Sequence, residues 1–427
     1  MNDKRKTGLE WFILFVLAIR PALDVFTDVG VAIGPLRLNP AAAIGLLVIL
    51  AALLYIFLLP WQTQKTSFKF LLPRAFLIWL VCLLGWAFMP MGATYLHETN
   101  RFIGLREWIR LLSIFFLFLA LFFMARQGKT QAILHALFLS FIIPALTGLY
   151  QIFFHHGLLV KDVYRVNATF VHPNPFAFYL VLLLGVTFWQ WRWSPRKFAW
   201  SLLLLLELGL LISTFSFTGV AMFGAMVLVI ILGESRRLRW IGLGLILLFA
   251  IAFLATPTGW QRVKTELQLE QLDEIERTGR ETSSITWRLL NWRFLYREWK
   301  KEPWFGHGLN TSKYINPMVK KGTGLGFDPH NDYVRYLAET GAIGLALFLG
   351  FLFSIGLALW RAYTRTCISQ WKHGMLISIA IYTSWLVGSC SDNLITATGY
   401  QFALWAILAL AVGTPSFNQA NTQESNS

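Results

Sequence analysis

Apolar runs of about twenty residues, nearly free of charge, recur along the whole chain with short polar segments between them. A run of that length makes a helix of roughly 30 Å, the thickness of a bilayer's hydrocarbon layer. Twelve runs are counted, at 9–26, 40–60, 71–90, 107–125, 131–153, 171–191, 198–213, 219–233, 239–256, 342–360, 374–390 and 398–413. The pair flanking 214–218 is short enough to allow a broken or re-entrant arrangement. One interval, 257–341, breaks the rhythm, being long, polar and patterned on its own account. The expected fold is all-α: a polytopic membrane helical bundle of about twelve transmembrane helices with one large, mostly helical extracytoplasmic loop. Residues 1–256 would hold the first nine spans, 257–341 the loop that carries the chemistry, and 342–413 the last three spans. The polar tail 414–427 lacks apolar periodicity and is expected to be disordered in the cytoplasm.

Composition strengthens this picture, since 427 residues with 56% hydrophobic and 14% charged content need lipid as solvent. Orientation follows from Lys and Arg in the short connections, which resist translocation. With a cytoplasmic N-terminus, the connections at 4–6, 65–74, 126–129, 192–197, 236–239 and 361–372 are all short and basic. Segment 257–341 is long enough to escape that rule and falls outside. The first run carries Arg20, Pro21 and Asp24 and no small-residue cleavage site, so it is expected to stay as the first span. Arg20 and Asp24, four apart, are placed to pair with each other. Cys82 and Cys390 fall in expected spans and Cys367 in a cytoplasmic connection, so neither disulfides nor thiolate metal sites are expected in the loop.

The formal charge is +15. On this topology 20 of the 37 Lys and Arg are not cytoplasmic, and the loop alone holds 13 against 11 Asp and Glu. Arg20, Arg37, Arg101, Arg106, Arg110, Lys161 and Arg165 add to the same outer surface. The surplus calls for an anion, and phosphate fits because guanidinium forks match its oxygens in pairs. Anionic headgroups are the competing reading; nucleic acid is not expected.

Within the loop, Trp260, Val263, Leu267 and Ile275 suggest an amphipathic helix over 260–275, of structural role. A second helix is marked by Ile285, Leu289, Trp292, Tyr296 and Trp299, a stripe expected to pack, with Pro303 ending it. Arg288 lies about 60° from the stripe centre at the border of the buried face, where its head can reach a cleft while its stem stays packed. The competing reading is a solvated surface charge. The glycines of Pro303-Trp304-Phe305-Gly306-His307-Gly308 permit an exposed turn, a weak pointer to phosphate that competes with a plain helix-to-loop turn. His307, between the glycines, is read as only facing water. Asp328-Pro329-His330-Asn331 reads as a helix start with Asp328 as N-cap, placing His330 in the first turn, and Gly341 closes that segment. There the helix dipole would keep His330 neutral and able to accept a hydroxyl proton. A capping-region histidine without chemistry is the alternative. Glu207, near mid-membrane and placed to balance a buried arginine, is read as structural, with catalysis as the alternative.

Taken together these pieces resemble the O-antigen ligase and Wzy-type polymerase superfamily of bacterial envelope glycan transferases. The resemblance rests on ordered motifs: Thr169-Phe170-Val171-His172-Pro173-Asn174 at a span mouth, Arg288 and Trp292 before the 303–308 turn, His330-Asn331-Asp332-Tyr333, and Glu339-Thr340-Gly341 leading into a span. It implies a bacterial inner-membrane enzyme, with both termini cytoplasmic, that moves an oligosaccharide or polysaccharide from undecaprenyl pyrophosphate to a sugar hydroxyl on a glycan or lipid-anchored acceptor. It implies no cofactor and no metal, with Arg288 neutralising the leaving pyrophosphate and His330 activating or orienting the acceptor. Asn331, Arg293, His172, Asn174, Arg101, Arg106 and Arg165 are the expected substrate-binding residues, with a helix-start role competing equally for His172 and Asn174. One departure stands out: the family's Ser-Arg pair at a mid-chain turn is replaced by Ser213-Thr214-Phe215-Ser216-Phe217-Thr218-Gly219, with Phe217 where arginine is expected. Arg101, Arg106, Arg165 or Arg293 are the candidates to supply a second cation.

Three other classes compete, one of them a purely structural membrane protein, which would have no need of the paired His330-Asn331 and Arg288. A glycan-lipid flippase would share the spans but show two similar halves, and no repeat is visible. A membrane O-acyltransferase would also use a histidine, but gives no reason for the basic loop. Ligase and Wzy-type polymerase differ only in the acceptor, a foreign anchor or another repeat unit, and the reading leans to ligase. The topology makes the first prediction: Thr323→Cys reacts with an impermeant thiol reagent in whole cells or spheroplasts, whereas Ser235→Cys does not. The reverse labelling pattern would end this reading.

Overall fold

A computed structural model describes residues 2–26, 29, 31–33, 36–59, 81–82, 84–86, 101–160, 163–234, 236–267, 276, 284–318 and 326–414. The chain is mostly helical. In order run α1 (Asn2–Ile19), α2 (Pro40–Phe57), α3 (Arg101–Arg126), α4 (Thr130–Phe154), α5 (Pro173–Trp193), α6 (Lys197–Ser213) and α7 (Phe217–Gly233). There follow α8 (Arg236–Ala255), α9 (Pro257–Leu267), α10 (Ser284–Trp299), α11 (Ser312–Ile315), α12 (Asp332–Arg365), α13 (Ser369–Ser389) and α14 (Thr398–Gly413). Helices therefore overlie the apolar runs, except that 71–90 lies mostly outside the described residues. Ser235 and Thr323 lie outside them too, as do 268–275, the second half of the helix expected over 260–275. Among the described residues three helices, Ile103–Arg126, Thr130–Phe154 and Asp332–Arg365, are long and apolar enough to cross a membrane, and shorter apolar helices cover Ala42–Phe57, Phe217–Gly233 and Thr398–Gly413.

Helix starts follow local chemistry. Asn39 caps α2 by accepting from the Ala42 N–H at 2.8 Å with Pro40 at the first helical position, and Ser216 caps α7 through the Gly219 N–H at 3.2 Å. Two antiparallel hairpins depart from the all-α expectation: β1 (Val31–Ile33) with β2 (Leu36–Leu38), and β3 (Leu158–Val160) with β4 (Val163–Arg165). Strands of three residues carry too little alternation to be seen in a sequence dominated by helical runs.

The core is centred on α5 and α14, which are buried on nearly all sides, as befits helices apolar all round. Trp405 of α14 meets Phe118 of α3, Phe351 of α12 and Trp385 of α13 with ring centroids 5.3, 5.8 and 6.1 Å apart. Charges inside are paired as expected for Arg20 and Asp24. Glu207, fully buried, accepts from the Thr187 hydroxyl at 2.8 Å, so its neighbour is a hydroxyl and not an arginine.

The loop joins the bundle at a break in α12. Gly341 has φ 71° and ψ −174°, which interrupts the helix and frees the carbonyls of residues 338–340. Their new donors are the N–H groups of His307 (3.1 Å) and Gly308 (2.8 Å) and the indole of Trp86 (2.9 Å). On the far side the Ala342 N–H donates to Pro303 at 2.8 Å. The 303–308 turn thus satisfies the broken helix, and the N–H groups of Gly306, His307 and Gly308 are spent on protein carbonyls rather than held open for phosphate. The His307 ring also turns inward, with Nε2 2.9 Å from the Glu298 carbonyl. Arg335 locks the same region through Glu339 (3.0 Å), Glu107 of α3 (3.1 Å) and Asn310 (3.0 Å), while Glu339 holds the Asn310 N–H and the Ser312 hydroxyl, each at 2.7 Å.

The stripe on α10 is placed differently from expectation. Thr286, Leu290, Asn291 and Leu295 are its buried residues, whereas Ile285, Leu289 and Tyr296 are exposed. The cause is Asn291, whose amide donates to the Asp328 carbonyl (2.8 Å) and accepts from Asn316 (2.6 Å), turning that face toward the 316–328 segment. The break yields a prediction. A Cβ at Gly341 would lie 2.2 Å from the Trp304 carbonyl oxygen in a left-handed backbone, while one at Gly209 would meet nothing within 4 Å. Gly341→Ala lowers the thermal midpoint of the detergent-purified protein by an amount equivalent to about 1–3 kcal/mol, and Gly209→Ala does not. Equal midpoints for the two variants would refute the account of the break.

Candidate active site

The segment before α12 is strapped down from both sides. Its Asp328 carbonyl accepts from Asn291 and its Pro329 carbonyl from the Trp292 indole at 2.7 Å, both on α10. Asn331 is tied to the turn after α13: its N–H donates to Asn393 Oδ1 at 3.2 Å and its side-chain amide to the Cys390 carbonyl at 2.9 Å. The Asn331 oxygen accepts from the Tyr333 and Val334 N–H groups at 2.9 and 3.0 Å, so Asn331, not Asp328, is the N-cap. His330 consequently precedes the helix instead of lying in its first turn, and it adopts a left-handed backbone with φ 49°. The expected helix-dipole control of its protonation does not apply at that position.

The ring faces a carboxylate instead. His330 Nδ1 lies 3.1 Å from Asp392 Oδ1, and its ring stands edge-on to Trp287 at 5.4 Å. Nε2 has no protein partner among the described residues, and about a third of the side chain (32%) is exposed. Asp392 also accepts from the Asn174 amide at 2.6 Å and from the Asn393 N–H at 2.9 Å. Burial by itself would raise its pKa, but His330 facing it, the Arg288 charge and the Asn174 hydrogen bond together hold its carboxyl well below the usual carboxylate range. Asp392 was missed in the sequence. The legible signal was the polar run Ser391-Asp392-Asn393 between two apolar spans.

Arg288 is half-buried, as expected at the border of a packed face, and donates from Nη1 to Ser284 Oγ at 2.6 Å. Its Nε is buried without a hydrogen-bond partner among the described residues. Asn174 and Arg165 join this centre: Arg165 Nη2 donates to Asn174 Oδ1 at 2.9 Å and its Nε to the Thr214 carbonyl at 2.7 Å. His172 serves the helix start, its Nδ1 accepting from the Asn174 N–H at 3.3 Å as the N-cap of α5. Arg106 is exposed on α3 with its charge near Tyr314. Arg101 opens α3, but its side chain lies outside the described residues. Arg293 stands about 140° around α10 from Arg288. It lies 3.6 Å from Glu276 and lines a groove with Leu289, Trp292, Tyr296 and Leu337. The structure thus gathers Arg288, His330, Asn331, Asn174 and Arg165 around Asp392, while Arg106 and Arg293 make their contacts elsewhere. At the mid-chain turn Phe217 packs on Phe253 (5.6 Å), and the Thr218 hydroxyl meets that of Ser391 at 2.9 Å.

Residues 200–349 of this chain, just over a third of it, match the family model described as O-Antigen ligase. The resemblance read from the motifs is borne out over that segment, which includes Arg288, His330 and Asn331. A protein of Rickettsia bellii named "Putative polysaccharide ligase" is 29% identical over 121 residues, which are 25% of this chain and 30% of that protein. One of the same name from Rickettsia felis is 28% identical over 137 residues, 29% of this chain and 34% of that protein. The chain therefore spans about a third of the length of these curated relatives.

The four loop residues that resemble a divalent site do not converge. His307 faces Glu298, His330 faces Asp392, Asp328 pairs with Lys313 at 3.1 Å and Asp332 accepts from Ser389 at 2.9 Å. Metal ligands need to meet at fixed distances from one point. The thermal midpoint of the purified protein is therefore predicted to be unchanged by EDTA, and a midpoint lowered by chelator but restored by one divalent ion would overturn this.

Proposed function

We propose that this protein is a membrane glycosyltransferase of the O-antigen ligase type. It transfers an oligosaccharide or polysaccharide from undecaprenyl pyrophosphate to a sugar hydroxyl on the outer face of the bacterial inner membrane. In this reading the helices over all twelve apolar runs cross the bilayer, both termini are cytoplasmic, and residues 257–341 lie outside. The observation that carries the proposal is the meeting of a cation and a carboxylate-held histidine, Arg288 and His330–Asp392, at one centre.

The chemistry divides between them. An ionised carboxylate only accepts hydrogen bonds, so Asp392 holds the proton on His330 Nδ1 and leaves the lone pair on Nε2. Nε2 takes the acceptor's hydroxyl proton as that oxygen attacks the anomeric carbon of the donor. The bond from that carbon to the pyrophosphate oxygen breaks, and the electron pair leaves with the lipid pyrophosphate. Arg288, whose Nε is unspent, stabilises the charge that develops there. No metal or cofactor takes part in these steps.

The two groups therefore fail differently. His330→Ala lowers the transfer rate about a hundredfold to ten-thousandfold while donor binding survives. Asp392→Asn lowers it as well, because an amide can present its N–H to Nδ1 and reverse the tautomer. Arg288→Lys keeps the charge but loses the fork, and stays strongly impaired. These rates are measured with a purified undecaprenyl-pyrophosphate glycan, and donor binding is measured separately for each folded variant. Near-normal transfer by His330→Ala sinks the base assignment, and intact transfer by Arg288→Ala sinks the pyrophosphate one.

A further inference from the structure

We infer that Arg165 and Asn174 are positioning residues, a two-member relay that holds the acceptor-only carboxylate of Asp392 in place against His330 Nδ1 and so keeps the tautomer of His330. The inference rests on His330 acting as the base. Neither residue is offered to substrate, since Arg165 is 3% exposed and Asn174 9%.

The argument turns on which groups can only donate and which can only accept. A guanidinium has five N–H donors and no acceptor. Arg165 sends Nε to the Thr214 carbonyl and Nη2 to Asn174 at 2.9 Å, so the Asn174 side chain has to present its oxygen there. That orientation turns the Asn174 NH2 group toward Asp392 Oδ2, 2.6 Å away. The flipped amide would set NH2 against the guanidinium and oxygen against the carboxylate, two repulsive contacts in a buried place, so the choice between the two nearly isosteric orientations is made by Arg165. With Oδ2 occupied by Asn174, Oδ1 is left to the Asn393 N–H at 2.9 Å and His330 Nδ1 at 3.1 Å. The imidazole can only donate to it, and its lone pair is directed through Nε2.

The relay also has fixed ends. Arg165 lies on β4, and its Nε is anchored on the turn that precedes α7. Asn174 is the second residue of α5, just inside the cap provided by His172. Its amide is therefore held by a helix start on one side and by an arginine on the other, and Asp392 has little freedom to rotate away from His330.

The test is a double-mutant cycle in the full-length purified protein, with kcat and the donor KM measured for Asn174→Leu, and for the milder Asn174→Ser, with and without Asp392→Asn. The relay predicts that Asn174→Leu lowers kcat about ten- to a hundredfold with the donor KM nearly unchanged, and that it costs about threefold or less once Asp392→Asn has cut the relay. Arg165→Lys, which still can only donate, recovers most of the rate that Arg165→Gln loses. Equal losses in both Asp392 backgrounds would mean a merely structural role, and a raised donor KM with kcat kept would mean direct binding; either overturns the relay while the base assignment stands. His330→Ala, measured alongside, reports on that assignment alone.

Discussion

A carboxylate withdrawn from water must be given partners, and the arrangement of the end of the bundle that carries segment 328–331 follows from how Asp392 receives them. They arrive from remote parts of the sequence: Asn174 at the start of α5, His330 ahead of α12, and the N–H of Asn393 beside it. The desolvation penalty of a buried ion is several kcal/mol, so a partner left out costs more than one exposed hydrogen bond is worth. Asp392 therefore fixes where the loop segment 328–331 sits relative to α5 and the turn after α13. The catalytic geometry proposed for His330 is the same set of contacts that closes the bundle.

A second requirement acts on the backbone. Breaking a helix close to lipid exposes polar groups that lipid cannot satisfy. At Gly341 the freed carbonyls are taken by the 303–308 turn and by Trp86, and Arg335 ties the same stretch to Glu107. The short helical piece from Asp332 to the break is thus rigid at its far end, while Asn331 holds its near end to Asn393 and Cys390. His330 is carried between two anchored points, and its left-handed backbone is held by the neighbours that crowd it.

Much of this was legible in the sequence because it rests on local rules. Apolar runs of the right length gave the helices, Gly341 marked the break, Pro303 followed the end of α10, and the position of Arg288 on its helix placed it half-buried. What was not legible depends on partners distant in sequence. Asp328-Pro329 is a good local helix start, yet Asn331 wins the cap because the turn at 390–393 grips it. The apolar stripe of α10 points partly outward because Asn291 finds two partners in the 316–328 segment. Asp392 carries no motif of its own, and its importance lies entirely in what surrounds it. Charge and place at a span mouth suggest Arg165 and Asn174 as substrate ligands, whereas burial gives them to the protein.

The segment that matches the family model, 200–349, contains His330 and Arg288 but neither Asp392 nor Asn174 nor Arg165. The histidine alone does not define a base, because a neutral imidazole has two tautomers and only an outside group can choose between them. Here that choice is made by side chains contributed from both sides of the matched segment, across the helices α5 and α13. Phe217 bears on the same point. It removes a cation from the mid-chain turn, yet the Thr214 carbonyl of that turn receives Arg165, whose charge is spent on protein oxygens and passed inward through Asn174. A positive group is thus retained beside this turn, and in the proposed mechanism it orients His330 while Arg288, one of several arginines with an unpartnered donor among the described residues, is the one beside Asp392.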